Sequence, residues 1–415
     1  MNMKTAALAA ISALTLTSCA TAITGVPSSP LTDPARIGGI TIAAVDSGMR
    51  PDAPSPTVEV AGTDHGAIDR LAAAAVEDVE NYWSGVVLPG NAAYSPVEQV
   101  TSWDSRTGAG VTVCQRAATV NAAFCGDDRS IGWDRGHLMP VLVDGMGDMG
   151  AVLVIAHEIG HAVDAQTRRD NPETIVREQR ADCYSGAYMS WVASGESPRF
   201  QVSPEGLDLM LEALPVVSDA PEQDGDHGSS TERLWAFQTG FMRGADACAA
   251  IDGDVVQSHR DGVLAAGGDA NATFTPALVD AIAASVEVVT GVPADTSVVD
   301  IAALNDMSAE PAPGVRGDGT GAAALIALLV QSWLAEQQVS SPRATACAVG
   351  AVARGMSSGS SDVTLSAGDL DEMVLEVLTV GRGATDRNGV MPSSGFERVR
   401  GFLAGVYGGL DGCAG

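Results

Sequence analysis

Apolar residues recur at the helical period along most of this chain. Ile68, Leu71, Ala72, Ala75, Val76 and Val79 fall on one face of a predicted helix. The apolar run Ala151-Val152-Leu153-Val154-Ile155-Ala156 resumes at Ala162-Val163 and predicts a second helix over roughly 149–166. A third follows Asn171-Pro172 and runs to about Ser194, ahead of Gly195. Ser203-Pro204-Glu205 supplies a cap and first turn for a helix carrying Leu207, Met210, Leu211 and Leu214. Ser229 and Glu232 form a capping box that opens another. Residues 111–134 read instead as strands and turns, with Val111-Thr112-Val113-Cys114 and Ala123-Phe124-Cys125 flanking a loop. The pattern predicts a mainly helical α+β protein with a small β-hairpin or sheet.

The N-terminus reads as a targeting signal. Lys4 precedes an apolar stretch over residues 5–16 that is too short to span a bilayer, and Leu16-Thr17-Ser18-Cys19 resembles a bacterial lipobox. Residues 1–19 are therefore expected to be a lipoprotein signal peptide, with Cys19 lipidated and the chain exported and anchored to the outer face of the cell membrane. Residues 20–65 are rich in Pro, Ser, Thr and Gly and read as a flexible tether, with one short strand at 40–45. The apolar residues 322–330 end at Gln331 and Ser332 and are not read as a membrane span.

Charge excludes one class of partner. With 23 basic against 52 acidic residues, a net charge of −29 repels phosphate backbones, so nucleic-acid binding is not expected. Setting Cys19 aside leaves an even number of cysteines, which favours disulfides in an exported chain. The chain has no C-x-x-C pair that would suggest a thiolate zinc site.

Internal similarity divides the rest. Glu232, Arg233, Phe237, Gly240, Gly244, Asp246 and Cys248 match Glu397, Arg398, Phe402, Gly405, Gly409, Asp411 and Cys413 at identical spacing. Cys183, Gly186 and Ala187 match Cys347, Gly350 and Ala351; Ser203, Leu207, Asp208 and Met210 match Ser366, Leu370, Asp371 and Met373. The matches suggest an old duplication, with residues 66–250 as a first unit, 251–274 as a linker and 275–415 as a helical copy. Cys183–Cys248 and Cys347–Cys413 are then equivalent disulfides, and Cys114–Cys125 closes a local hairpin.

The chemistry concentrates in the first unit. His157-Glu158-Ile159-Gly160-His161 is H-E-x-x-H within the second predicted helix, so both imidazoles leave one face, placed to chelate one zinc ion. In the copy, His157, Glu158 and His161 map onto Leu328, Leu329 and Ser332, and Asp182 maps onto Ala346; no metal-binding side chain remains. A catalytic zinc site needs a third protein ligand and an open position. Glu178 and Asp182, at i and i+4 on the next helix, share a face: one can bind metal while the other accepts an N–H from a ligating imidazole. The competing reading is an exposed acidic face paired with Arg177 or Arg180. His227, just before the Ser229 helix, could reach a substrate oxyanion or serve only as a turn residue. Tyr184 and Tyr188 read as core; His65, His137 and His259 read as loop residues.

The downstream E-x-x-x-D resembles the thermolysin-like gluzincin arrangement, which implies Glu178 as the third ligand and Asp182 as the support of His157. A more specific resemblance covers residues 66–250. Phe124-Cys125 ahead of Asp134, the His157–His161 motif, Arg177-Glu178-Gln179-Arg180-Ala181-Asp182-Cys183-Tyr184-Ser185-Gly186, and His227-Gly228-Ser229-Ser230 with Arg233 and Gly240-Phe241 resemble the bacterial neutral zinc metallopeptidase family. That resemblance implies a zincin-like catalytic domain. Zinc would activate water, Glu158 would act as general base, and the substrate would be a peptide or protein. Two other expectations stay open: a non-enzymatic surface lipoprotein with a structural or vestigial zinc site, and a hydrolase acting on a non-peptide amide.

Overall fold

The computed structural model describes residues 33–88, 93–107, 111–167, 172–216, 227–261, 272–309, 318–339, 341–359 and 363–414. The expected signal peptide, Cys19 and the first part of the tether lie outside these residues. Within the expected tether, residues 33–50 carry short paired strands, while residues 51–66 are exposed or half-buried. β1 (Arg36–Ile37) pairs antiparallel with β2 (Ile40–Thr41), shorter than the strand expected there, and Ile37 and Ile42 are buried. β3 (Gly48–Met49) pairs with a later strand, Phe200–Gln201. The Glu77 carboxylate accepts the Thr57 and Val58 N–H groups at 2.5 and 2.7 Å. A Pro- and Ser-rich segment can remain ordered when isolated apolar residues find a crevice and its backbone donors find partners.

α1 (Ala67–Gly85) buries its alanine-rich face, and two carboxylates on it tie the first unit together. Asp69 accepts Ser102 Oγ at 2.6 Å and Trp133 Nε1 at 2.9 Å. Asp78 accepts Tyr188 OH at 2.8 Å and Ser197 Oγ at 2.7 Å. The strands form where the alternation predicted them, with one addition. β4 (Gln99–Trp103), β7 (Ala122–Cys125) and β8 (Ser130–Asp134) make a sheet ordered β4-β8-β7, with β8 parallel to β4 and antiparallel to β7. β5 (Thr112–Val113) and β6 (Arg116–Ala117) form a separate hairpin. At the end of β8, Asp134 accepts the Gly136, His137 and Leu138 N–H groups and starts α2 (Leu138–Met146).

α3 (Asp148–Thr167) and α4 (Thr174–Ala193) match the two central predicted helices within two residues at either end. They approach closely at Gly160, where a β-carbon would lie 2.7 Å from the Ala181 carbonyl oxygen. After β9 (Phe200–Gln201), Ser203 caps α5 (Pro204–Leu211) and α6 (Ala213–Val216) follows. Ser229 and Glu232 cap α7 (Ser230–Arg243) in both directions of the predicted box. α8 (Ala245–Ala249) leads to α9 (Gly253–Arg260), so the linker expected over 251–274 is structured in its first part. His259, expected in a loop, is buried in α9 and stacks on Tyr407 with ring centroids 3.9 Å apart. Its helical placement follows from Asp252, whose side chain accepts Val255 N–H and caps α9.

The regular structure of the second part is helical among its described residues: α10 (Pro276–Thr290), α11 (Ile301–Ala309), α12 (Gly319–Leu329), α13 (Gln331–Glu336), α14 (Pro342–Ser357), α15 (Ala367–Thr379) and α16 (Gly395–Gly408), with short 3-10 segments between and after them. Residues Gly319–Glu336 are apolar enough to cross a membrane by composition, yet 72% of that stretch is buried in protein and it breaks at Val330. It is a core element.

Two helix pairs are built alike. α4 crosses α7 where β-carbons on Gly186 and Gly240 would overlap the Phe237 and Cys183 carbonyls. α14 crosses α16 where β-carbons on Gly350 and Gly405 would overlap the Phe402 and Cys347 carbonyls. All three expected cysteine pairs lie at disulfide distance: Cys114–Cys125, Cys183–Cys248 and Cys347–Cys413, with Cα separations of 5.1, 5.4 and 5.5 Å. The two parts also exchange caps. Asp208 on α5 accepts the Gly395 and Phe396 N–H groups at the start of α16, at 2.6 and 2.9 Å. Asp371 on α15 in turn accepts the Ser230 backbone and hydroxyl donors at the start of α7. Ile37 and Gly38 close the seam: Gly38 sits against Phe241 and Phe396 and donates to Glu397 at 2.9 Å.

Candidate metal centre

α3 presents His157 and His161 one turn apart, their rings 4.8 Å between centroids. α4 brings Glu178 across from them because the Gly160–Ala181 approach leaves no side chain in the way. Glu178 Oε2 lies 3.2 Å from His157 Nε2, and Oε1 lies 3.4 Å from His161 Nε2. One ligand atom from each of the three residues lies within 4.8 Å of the others. The side chains of His157, His161 and Glu178 remain 11, 20 and 12% exposed, so the cluster opens to solvent on one side. Glu178 is therefore not part of an exposed acidic face.

Asp182, fully buried one turn along α4, accepts from His157 Nδ1 at 2.8 Å. Arg233 of α7 braces that carboxylate, with Nε donating to Oδ2 at 2.8 Å and Nη2 to Oδ1 at 2.9 Å. A second buried pair, Arg180 Nη1 to Asp164 Oδ1 at 3.2 Å, joins α4 to α3 behind the site, and Arg180 Nε donates to the Ile251 carbonyl. Electrostatics follow the geometry. Burial pulls the His157 imidazole down, but Asp182 and Glu178 outweigh it and hold its pKa up at about 10. Burial raises the Glu178 and Asp182 carboxyls, yet the imidazoles beside Glu178, and Arg233 with His157 beside Asp182, hold both below the usual carboxylate range.

This donor set fits a divalent cation. When a neutral His157 donates its Nδ1 proton to Asp182 in a hydrogen bond, the Nε2 lone pair faces the Glu178 carboxylate. In the metal-free chain a proton on Nε2 bridges this 3.2 Å contact, and a divalent cation would take that proton's place. Glu178 Oε2 is buried, and its near neighbour is the His157 imidazole. Two imidazoles and one carboxylate are the ligand types of catalytic zinc sites that keep one position for water.

Glu158 sits between the ligands in sequence and is turned to the sheet, where its Oε2 accepts the Phe124 N–H of β7 at 2.9 Å. β7 is an edge strand, so the same strand that orients Glu158 has its outer side next to the candidate centre. His227 is exposed and lies outside the ligand cluster. Its turn rests on α4, since a β-carbon on Gly228 would meet Ile175 Cδ1 at 2.8 Å. Tyr184 and Tyr188 are core, as expected: Tyr184 packs edge-on against Trp83, and Tyr188 binds Asp78.

Arg233, the Phe124 N–H and the Arg180–Asp164 pair are parts of the site to which sequence reasoning gave no role. Arg233 stood among the repeated positions, but its partner appears only when α7 crosses α4. The other acidic group with metal-like spacing, Asp318, Asp369 and Glu372, has no imidazole, and each carboxylate accepts a backbone N–H, from Ala272, Ser366 and Gly319 respectively. Comparison with family models, curated proteins and solved structures returns no match to this chain.

Proposed function

We propose that the protein is a zinc-dependent peptidase of zincin-like architecture whose metal is held by His157, His161 and Glu178. The observation that carries this reading is the convergence of two imidazoles on the Glu178 carboxylate, one of them fixed in orientation by Asp182 and Arg233. Zinc bound there would lower the pKa of a coordinated water towards about 7 and polarise a substrate carbonyl. Glu158, its carboxylate held by the Phe124 N–H, would take a proton from the attacking water and deliver it to the leaving amine. Asp182 keeps the His157 proton on Nδ1 so that Nε2 stays a ligand, and Arg233 offsets the cost of burying that carboxylate. The open side of β7 supports an extended peptide as substrate, since an edge strand offers unpaired backbone donors and acceptors. His227 enters the proposal only as a residue of the turn beside α4.

The matched glycines, disulfides and exchanged aspartate caps support residues 275–415 as a degenerate duplicate that kept the scaffold and lost the ligands. The signal-peptide reading places the peptidase outside the cytoplasm on a Cys19 lipid anchor, a setting in which its disulfides would persist. The test is metal content together with cleavage of a mixed peptide library, for wild type and Glu158→Gln in parallel. Wild type should bind one zinc and cleave; Glu158→Gln should bind zinc equally and lose turnover. Full activity in Glu158→Gln would exclude the mechanism, and zinc binding without cleavage in the wild type would favour a vestigial site.

A further inference from the structure

The second part has a feature that the proposed peptidase site does not use. Where α14 begins, a cavity of about 180 Å³ is lined by Ser341, Arg343, Arg400, Gly401 and the Cys347–Cys413 disulfide. Two guanidinium groups share one carboxylate there: Glu397 lies 3.6 Å from Arg343 Nη1 and 3.4 Å from Arg400 Nη1. That carboxylate is already engaged, since its Oε1 accepts the Gly38 N–H. Arg343 Nε is buried with no hydrogen-bond partner. The shared carboxylate holds the two guanidinium groups near each other, and burial with the neighbouring Arg400 pulls Arg343 below its ordinary value although Glu397 opposes them. Ser341 caps α14 without a side-chain hydrogen bond, so the helix N-terminus adds partial positive charge at the same place. A net positive hollow is against the trend of a chain carrying −29.

The matching surface of the first part is closed. Gln179 and Trp235 stand where Arg343 and Arg400 stand, by the repeat spacing, and α9 lies over them with His259 packed edge-on against Trp235 at 4.3 Å. The same groove is thus covered by α9 in one part and has an arginine-lined opening in the other.

We propose that this hollow is a binding site for a small oxyanion, gripped by Arg343 and Arg400 at the N-terminus of α14. Planar guanidinium donors match carboxylate and phosphate oxygens alike, so the assignment is to the shared oxyanion chemistry, whichever compound carries it. It does not depend on the zinc reading.

The test uses the full chain, stripped of metal by a chelator so that no cation can bind the probe. Inorganic phosphate and succinate are titrated calorimetrically at constant ionic strength set with chloride. Wild type should bind at least one of them, with Kd below about 10 mM. Arg400→Gln and Arg343→Gln should each weaken binding by about tenfold or more. Glu397→Gln, which removes the competing charge but keeps an acceptor for Gly38, should tighten it. Preference for phosphate would assign the site to phosphoryl groups and preference for succinate to carboxylates; both uphold the proposal. Equal binding in wild type and Arg400→Gln, or no binding in wild type, would overturn it. Arg400 is the more exposed of the pair, so its substitution tests the site without risking the fold.

Discussion

Arg233 and Arg398 occupy equivalent places in two helix pairs of the same construction, and they do different things. Arg233, on α7, meets the buried carboxylate of Asp182 on α4 with two hydrogen bonds. Arg398, on α16, faces an α14 that has Ala346 at the corresponding position and turns to the carbonyls of Val377, Pro392 and Leu378 instead. Glycine-mediated crossing and the disulfide are common to both pairs, so they belong to the scaffold. The Arg–Asp–His chain is confined to the pair beside His157 and belongs to the site. An arginine with no carboxylate opposite it finds backbone acceptors, because a buried guanidinium without partners is too costly to keep.

The comparison breaks most sharply on those arginines. Arg233→Met should cost about 3–5 kcal/mol, because it leaves Asp182 as a buried charge with one fewer partner. It should also weaken zinc binding about 10–100-fold. Arg398→Met should cost only about 1–3 kcal/mol, the penalty of stranding buried carbonyls, and leave zinc affinity unchanged. Denaturant melts and a competitive chelator titration on both variants read the two effects separately. Equal zinc loss in the two would remove the distinction between scaffold and site.

Next in size is a pH effect with a definite sign. In the metal-free protein, His157 is raised from 6.5 to about 10, so its contribution to stability is full below about 6.5 and is lost as pH rises through about 10. Glu178 and Asp182 are lowered from 4.5 and 3.8, so theirs is full above those values and is lost as pH falls. The site should therefore stabilise the metal-free fold best between about 4.5 and 6.5. Zinc must displace the His157 proton, so the rise in Tm on adding zinc should grow from pH 6 towards pH 9. A Tm gain that is flat or shrinks over that range would contradict the ligand assignment.

The smallest effect tests the seam. Asp208→Asn and Asp371→Asn each weaken one of the exchanged caps and should lower stability by about 0.5–2 kcal/mol, to similar extents. A large effect in one alone would show that the two parts do not support each other reciprocally.

Much of the site was legible because its signals are local. The H-E-x-x-H spacing, the i, i+4 carboxylates of α4 and the capping box of α7 depend on neighbours within a turn or two, and the helices formed where those residues placed them. What sequence reasoning missed depends on distant partners. β4 acquires its place from pairing with β8, and β3 from pairing with β9, neither announced by composition. Residues 33–65 looked like tether because Ile37 and Ile42 are isolated in sequence; both are nonetheless buried, and Gly38 beside them meets Phe241 of α7 and Phe396 of α16. Val330 separates α12 from α13 between the positions that the repeat spacing matches to His157 and His161.

X-ray absorption at the zinc edge of protein loaded with one equivalent of metal tests the centre most directly. The account predicts a shell of nitrogen and oxygen at about 2.0–2.1 Å with two imidazoles and no sulfur, lost in a His157→Ala, His161→Ala double variant. Failure to retain zinc, or a spectrum unchanged in that variant, would contradict it.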